Sequence, residues 1–318
     1  MGESAHELGE DAPFDAVIIG GGPAGLSAAL NLGRARARVL VVDADRPRNA
    51  ATLNSHGFLT RDGVPPAELR RLAREELEAY PQVRMLSRTR VVSIEAAGAP
   101  ARFALQLDGR RAPAQVSAQA VLVATGLRET LPAVPGIRAF YGMSLFSCAA
   151  CDAWELQDRP LALIGETPDL PARARLIARW THDLTVFTNG ADVIDAVEEA
   201  ELAASGIRVQ RQPIADLEGD RGRITALRLA DGTAVPVGGG FVRPRWHTAL
   251  EFLGGLGVDV DTDGHLLVDR SGRTSVAGVY GAGDAAAPGP QQLIVAAGQG
   301  ARAAAVLVHD LVGVTTAH

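Results

Sequence analysis

The sequence predicts an α/β fold with two Rossmann-like, dinucleotide-binding domains, and three observations carry that expectation. An apolar run leads into a glycine-rich turn near residue 20, and a degraded copy of the pattern recurs near residue 161. The chain of 318 residues is also roughly twice the size of one common domain. Hydrophobic residues supply 47% of it and charged ones 21%, enough apolar volume for two packed cores.

The first element is Asp15-Ala-Val-Ile-Ile19, a short apolar run that reads as a buried parallel strand. It enters Gly20-Gly-Gly-Pro-Ala-Gly25, which satisfies G-x-G-x-x-G. A helical segment from Leu26 to about Gly33 follows, then a second strand, Val39-Leu-Val-Val42, ending in Asp43. Each position has a physical task. Gly20 permits the tight turn, Gly22 lets the backbone approach a pyrophosphate, and Gly25 lets helix pack closely on strand. Pro23 and Ala24 open the helix whose N-terminus offers free N–H groups to phosphate. Asp43, eighteen residues beyond Gly25, is spaced to hydrogen-bond a ribose hydroxyl. Arg34, Arg36 and Arg38 belong at the helix end, where cations suit the dipole. The motif alone does not say which dinucleotide binds.

Two later segments bear on that. Ala120-Val-Leu-Val-Ala-Thr-Gly126 is another buried strand ending in a turn, and Thr274-Ser-Val-Ala-Gly-Val-Tyr-Gly-Ala-Gly-Asp284 is a strand closing on an exposed acid. A carboxylate there can accept hydrogen bonds from a sugar-alcohol chain such as the ribityl of a flavin. With Gly20–Gly25, these segments resemble the FAD signatures of two-domain flavoprotein disulfide reductases. The resemblance implies FAD, held by Gly20, Gly22, Pro23, Ala24, Gly25, Asp43, Arg48, Asn54, Val91, Thr125, Gly126, Gly283, Asp284, Gln292 and Leu293.

The only two cysteines lie in Ser147-Cys-Ala-Ala-Cys-Asp152. Cys148 and Cys151 can close a small disulfide ring, and a Cys-x-x-Cys pair in a reducing compartment indicates redox chemistry rather than a structural staple. A zinc site would need two further ligands, and no histidine lies within twenty residues, so no metal is expected. Asp152 is the candidate to move protons. The order of the glycine turn, the Cys pair and the late Gly-Asp motif resembles the low-molecular-weight thioredoxin reductases over essentially the whole chain. That family implies a split FAD domain, residues 1–124 and 245–318, and an inserted domain, residues 125–244, with crossings marked by Gly126 to Gly136 and by Gly238-Gly-Gly240 with Pro244. It also implies a homodimer, Cys151 facing the flavin, Cys148 exchanging with substrate, and Gln292 with Ala297-Gly-Gln-Gly300 on a helix directed at the flavin.

The chain departs from a reductase in the inserted domain. Leu161-Ala-Leu-Ile164 is the strand, but Gly165-Glu-Thr-Pro-Asp-Leu170 stands where the second glycine motif belongs. Thr167 adds a side chain, Pro168 removes a donor, and Glu166 and Asp169 bring negative charge to the place of a phosphate. Thr167-Pro168-Asp169 still makes a helix start, with Thr167 as the capping hydroxyl. The strand Leu184-Thr-Val-Phe187 ends in Thr188-Asn-Gly190, without the basic cluster that grips a 2′-phosphate. NADPH is expected to bind poorly. The pattern, with Arg48-Asn49-Ala50 and His56-Gly-Phe58, resembles the thioredoxin-reductase-like dithiol oxidases that close disulfides in gliotoxin- and holomycin-type natural products, closest to the holomycin type. That implies a small-molecule dithiol as substrate and O2 as electron acceptor, giving H2O2. Two readings of His56 stand, a base drawing a proton from the substrate thiol and a hydrogen-bonding residue for FAD or backbone. His247 is equally a hinge residue or a substrate contact. A reductase with another electron donor, an NADPH enzyme and a dithiol-sequestering protein are the alternatives.

Net charge of −6 and the absence of a dense Arg run with interleaved aromatics argue against nucleic-acid binding. All 31 basic residues are arginine, which excludes lysine Schiff-base chemistry. The polar start, Met1 to Phe14, lacks a signal-peptide pattern, Gly2 lacks a myristoylation context, and the apolar 293–312 stretch is broken by Gln299, Arg302, His309 and Asp310. A cytoplasmic protein, not bound to membranes, is expected.

Overall fold

The structure, a computed structural model, describes residues 12–286 and 289–314. Residues 1–11 of the polar start, including Gly2, lie outside them. Four strands of the first sheet run parallel in the order β3 (Val83–Ser87), β2 (Val39–Asp43), β1 (Phe14–Ile19) and β6 (Gln115–Val123). Beyond β6 the antiparallel strands β5 (Phe103–Asp108) and β4 (Arg90–Ala96) extend it. The Val279–Gly281 strand pairs with the other half of β6, so the expected long strand through Asp284 is only three residues.

Ala16, Val17 and Ile18 of β1 are fully buried, as are Val39, Leu40 and Val41 of β2. Both faces of these strands are covered, which is why they read as unbroken apolar runs rather than alternating ones. Each large aliphatic side chain so buried contributes about 1.5–3 kcal/mol. Helix α1 (Pro23–Arg34) starts with Pro23 in its first turn and carries Arg34 in its last, as dipole and cap preferences favour. Its face of Ala24, Leu26, Ala28, Ala29 and Leu32 packs in one core with Ala296, Ala303, Ala304 and Leu307 of the C-terminal helix Leu293–Leu311. The helices touch backbone to backbone: a Cβ on Gly300 would sit 2.0 Å from the carbonyl oxygen of Ala24.

After β6 the chain crosses to a second sheet. Leu127–Thr130 and Arg245–Thr248 pair as a two-stranded antiparallel ribbon, with Glu129 opposite Trp246. Beyond the ribbon lies a parallel sheet in the order Arg208–Gln210, Leu184–Phe187, Leu161–Ile164, Gly240–Val242, Leu145–Phe146. An antiparallel three-stranded sheet, Ile214–Asp220, Arg223–Leu229 and Ala234–Pro236, packs beside it. Strands 161–164 and 184–187 fall on the residues expected of them. The Gly238–Gly240 run does not act as a free hinge. Gly240 is already in the sheet, where a Cβ on it would lie 2.3 Å from the Ala162 carbonyl oxygen.

Candidate active site

The strand ends of the first sheet open onto a cleft of about 800 Å³, in the upper part of the range for cofactor sites, about 300–1,000 Å³. Gly20, Gly22, Pro23, Ala24, Asp43, Arg48, Val91, Thr125, Gly126, Gly283, Asp284 and Leu293 all line it. The chain thus brings together residues far apart in sequence, as a βαβ crossing at the carboxyl ends of parallel strands does.

The local geometry fits a dinucleotide such as FAD. Gly20 has φ of +113°, and a Cβ there would lie 2.2 Å from the Ala124 carbonyl oxygen, so only glycine makes this turn. A Cβ on Gly25 would lie 1.9 Å from the Gly20 carbonyl oxygen, so helix and strand close tightly. Gly22, by contrast, meets no protein atom within 4 Å on that side, leaving bare backbone toward the cleft. The Thr125 hydroxyl on the cleft wall is buried without a hydrogen-bond partner, a donor awaiting a ligand.

Three of the expected residues stand apart from the cleft lining. Gly25 acts through packing, Asn54 is exposed on the loop before His56, and Gln292 is the residue preceding the C-terminal helix. Asp284 is a correction: it is not an exposed acid. Its carboxylate is 18% exposed and accepts from Arg48 Nη2 at 2.7 Å, and the same guanidinium lies over the Trp246 ring, 4.8 Å from its centroid. Asp43 likewise is partnered by Arg74 Nη2 at 2.9 Å. Sequence reading missed Arg74 and Trp246, and also Gln299, whose side-chain oxygen accepts from Gly283 N–H at 2.8 Å. Only Gln299 had a signal, its place in the Ala297–Gly300 run.

Cys148 and Cys151 form a disulfide. Cys148 precedes a one-turn helix, Ala149–Asp152, and its carbonyl accepts the N–H groups of Cys151 and Asp152. Buried Ala153 and Leu156 anchor this turn in the second core. Burial pushes Asp152 up from 3.8 to about 7, with Glu155 adding repulsion and His56 opposing both. Such a carboxyl can hold and release a proton at neutral pH. His56 does not line the cleft. Its ring, 19% exposed, lies between Asp62, 3.5 Å from Nδ1, and Glu155, 3.7 Å from Nε2. It therefore ties its own loop to the segment just after the disulfide. His247 lies on the ribbon, opposite Arg128.

The second glycine-motif position is occupied by the protein's own charges. Glu166 accepts from Asn189 Nδ2 at 2.8 Å, and Asp169 accepts from Arg173 and Arg243 at 2.7 and 2.9 Å. Arg243 is only 18% exposed. The helix here runs Leu170–Ile177 with Asp169 as its N-cap residue, so the expected cap at Thr167 is corrected. The Thr167 hydroxyl donates to the Asp169 carboxylate instead, at 2.6 Å, because that carboxylate is already fixed by two guanidinium groups. Replacing Asp169 with Ala leaves Arg243 unpaired in a half-buried place. A loss of about 2 kcal/mol is expected, between the values for exposed and buried pairs, measured by urea unfolding.

The pattern of the family described as pyridine nucleotide-disulphide oxidoreductase matches residues 14–300. The chain belongs to this family of enzymes. Members of the thioredoxin reductase group within it ordinarily bind FAD. Thioredoxin reductase tcpT of Claviceps purpurea is 30% identical over 280 residues, 85% of this chain and 86% of its own. A “probable thioredoxin reductase” of Arthroderma benhamiae is 33% identical over 187 residues, 58% of this chain, and there the match spans 46% of the relative's length. Among solved structures, HlmI superposes with a TM-score of 0.89 at 35% identity, covering 95% of this chain and 94% of the other. An oxidoreductase from Agrobacterium tumefaciens gives 0.84 at 33% identity, covering 95% and 99%. The fold is that of the low-molecular-weight thioredoxin reductases. Among the described residues no helix is long and apolar enough to cross a membrane.

Proposed function

We propose that this enzyme is an FAD-dependent dithiol oxidase that closes an intramolecular disulfide in a small dithiol of the dithiolopyrrolone, holomycin-like type, with O2 as acceptor and without NADPH. One observation carries the reading. The redox disulfide and the first dinucleotide cleft are intact, while the second nucleotide loop is filled by the Asp169–Arg173–Arg243 cluster and the Glu166–Asn189 pair. A nucleotide phosphate there would have to displace a carboxylate from its two guanidinium partners and remain beside Glu166. Leu53, Leu59 and Trp154, all largely exposed, add apolar surface to the segments that carry His56 and Glu155, which favours a small, partly apolar substrate.

The chemistry required of the chain is thiol–disulfide exchange. A substrate thiolate attacks Cys148 Sγ, breaking the Cys148–Cys151 bond and releasing Cys151 as thiolate. The second substrate thiolate then attacks the mixed disulfide, releasing Cys148 and closing the product disulfide. Asp152 takes up one of the protons set free. FAD, held by the residues lining the first cleft, would supply the sink for the two electrons of the dithiol, with O2 as the final acceptor giving H2O2. Two electrons and two protons leave the substrate, and both appear in the peroxide.

The test is anaerobic flavin bleaching. A small dithiol such as dithiothreitol is expected to bleach the FAD-loaded protein, NADPH to leave it yellow, and air to restore the colour with one H2O2 per turnover. Rapid bleaching by NADPH would overturn the reading in favour of a reductase, the function named for several relatives. Bleaching by dithiol with no reoxidation in air would favour a disulfide reductase fed by another donor.

A further inference from the structure

A line of contacts outside the thiol chemistry runs from the cofactor cleft to Tyr141, on the segment that leads into Cys148. At one end Arg48 pairs with Asp284 and stacks on Trp246. Trp246 lies opposite Glu129 in the ribbon that joins the two sheets. Glu129 accepts from the Tyr141 hydroxyl at 2.7 Å and feels the positive charges of Arg48 and Arg138. The Ser147 side chain lies near the same phenol and favours its ionised form, against the burial that pushes the phenol up. Between Tyr141 and Ser147 the chain is folded back, with Gly142 N–H donating to the Leu145 carbonyl at 2.8 Å.

We propose that Glu129 and Tyr141 are positioning residues for the Cys148–Cys151 pair, tying the segment that enters the disulfide to the ribbon and, through Arg48, to the wall of the cofactor cleft. The inference rests on the dithiol-oxidase reading for its meaning in turnover, but not for its geometry. Burial raises the half-buried Glu129 carboxyl, and the phenol O–H and the charges of Arg48 and Arg138 oppose that rise. Among the described residues, Glu129 is the side-chain acceptor for the Tyr141 hydroxyl, at 2.7 Å. Removing either group releases the segment at one point while leaving Phe140 and Leu145 buried in a separate cluster with Ile137, Ile164 and Phe187.

The test uses Tyr141→Phe, Glu129→Ala and Glu129→Gln, the last keeping an acceptor for the phenol. In FAD-loaded protein, flavin reduction by dithiothreitol is expected to slow about tenfold in Y141F and E129A, the scale of one hydrogen bond to a charged group. E129Q is expected to stay within about threefold of wild type, with FAD content unchanged in all three. In flavin-free reduced protein, alkylation of Cys148 by iodoacetamide is expected to rise severalfold in Y141F and E129A and not in E129Q. A merely structural role would lower the melting temperature without moving the alkylation rate. Y141F with both rates within twofold of wild type would overturn the inference. Failure of dithiothreitol to bleach the wild-type flavin would instead overturn the oxidase reading, and the alkylation comparison would still decide this one.

Discussion

Replacing Cys151 with Ser is expected to abolish flavin reduction by dithiols, by on the order of 10³-fold or more, the scale of removing a nucleophile or its redox partner. The reason lies in the disulfide itself. With no Cys151 sulfur to leave, an attacking substrate thiolate finds no S–S bond, and no electron pair can be lodged in the pair. Cys148→Ser should fail as completely. FAD content should be unaffected in both, since neither cysteine lines the cleft. The measurement is anaerobic stopped-flow bleaching by dithiothreitol. Wild-type rates in C151S would mean that thiols reach the flavin directly and that the Cys pair is ornamental.

Asp152 carries the second large effect, and here the pH dependence has a definite sign. Burial raises its carboxyl from 3.8 to about 7 in the folded protein. The folded state therefore holds a proton that the unfolded chain gives up near pH 4. Stability linked to this group is full below about pH 4, falls as pH climbs toward 7, and is flat above. The whole change is up to about 4 kcal/mol. Asp152→Asn cannot ionise, so it should gain on the wild type between pH 5 and pH 8 in urea unfolding. The same variant should turn over about 10²-fold more slowly and lose the limb of its rate profile near pH 7. Equal stability shifts at both pH values would show that the carboxyl is solvated rather than buried.

The glycine turn at Gly20–Gly25, the acid Asp43, Thr125 with Gly126, and Gly283 with Asp284 were legible because each needs a residue type that little else explains. A φ of +113° at Gly20 and a Cβ collision at Gly25 admit no substitute. The Leu161–Ile164 and Leu184–Phe187 strands were legible because a central parallel strand is apolar throughout. The partners of these residues were not. Arg74 meets Asp43 from thirty-one positions away, and Arg48 meets Asp284 from 236. An arginine on a helix looks the same in sequence whether it faces water or a carboxylate. The Glu129–Tyr141 pair was hidden for the same reason, since its spacing of twelve corresponds to no local period. Thr167 was misread because a local capping rule cannot see Arg243, which arrives from the neighbouring strand seventy-four positions along the chain.

The closeness of α1 to the C-terminal helix has a consequence for synthesis on the ribosome. The glycine turn and α1 emerge well before Gly300 and the small residues around it, which cover α1. The Val279–Gly281 strand that completes β6 comes equally late. Until then the nascent chain carries an uncovered face of Ala24, Ala28, Ala29 and Leu32, whereas the sheet spanning residues 145–242 has all its strands in hand. The first sheet thus begins to form well before it can be sealed, and the nascent segment around α1 is a natural client for a holding chaperone.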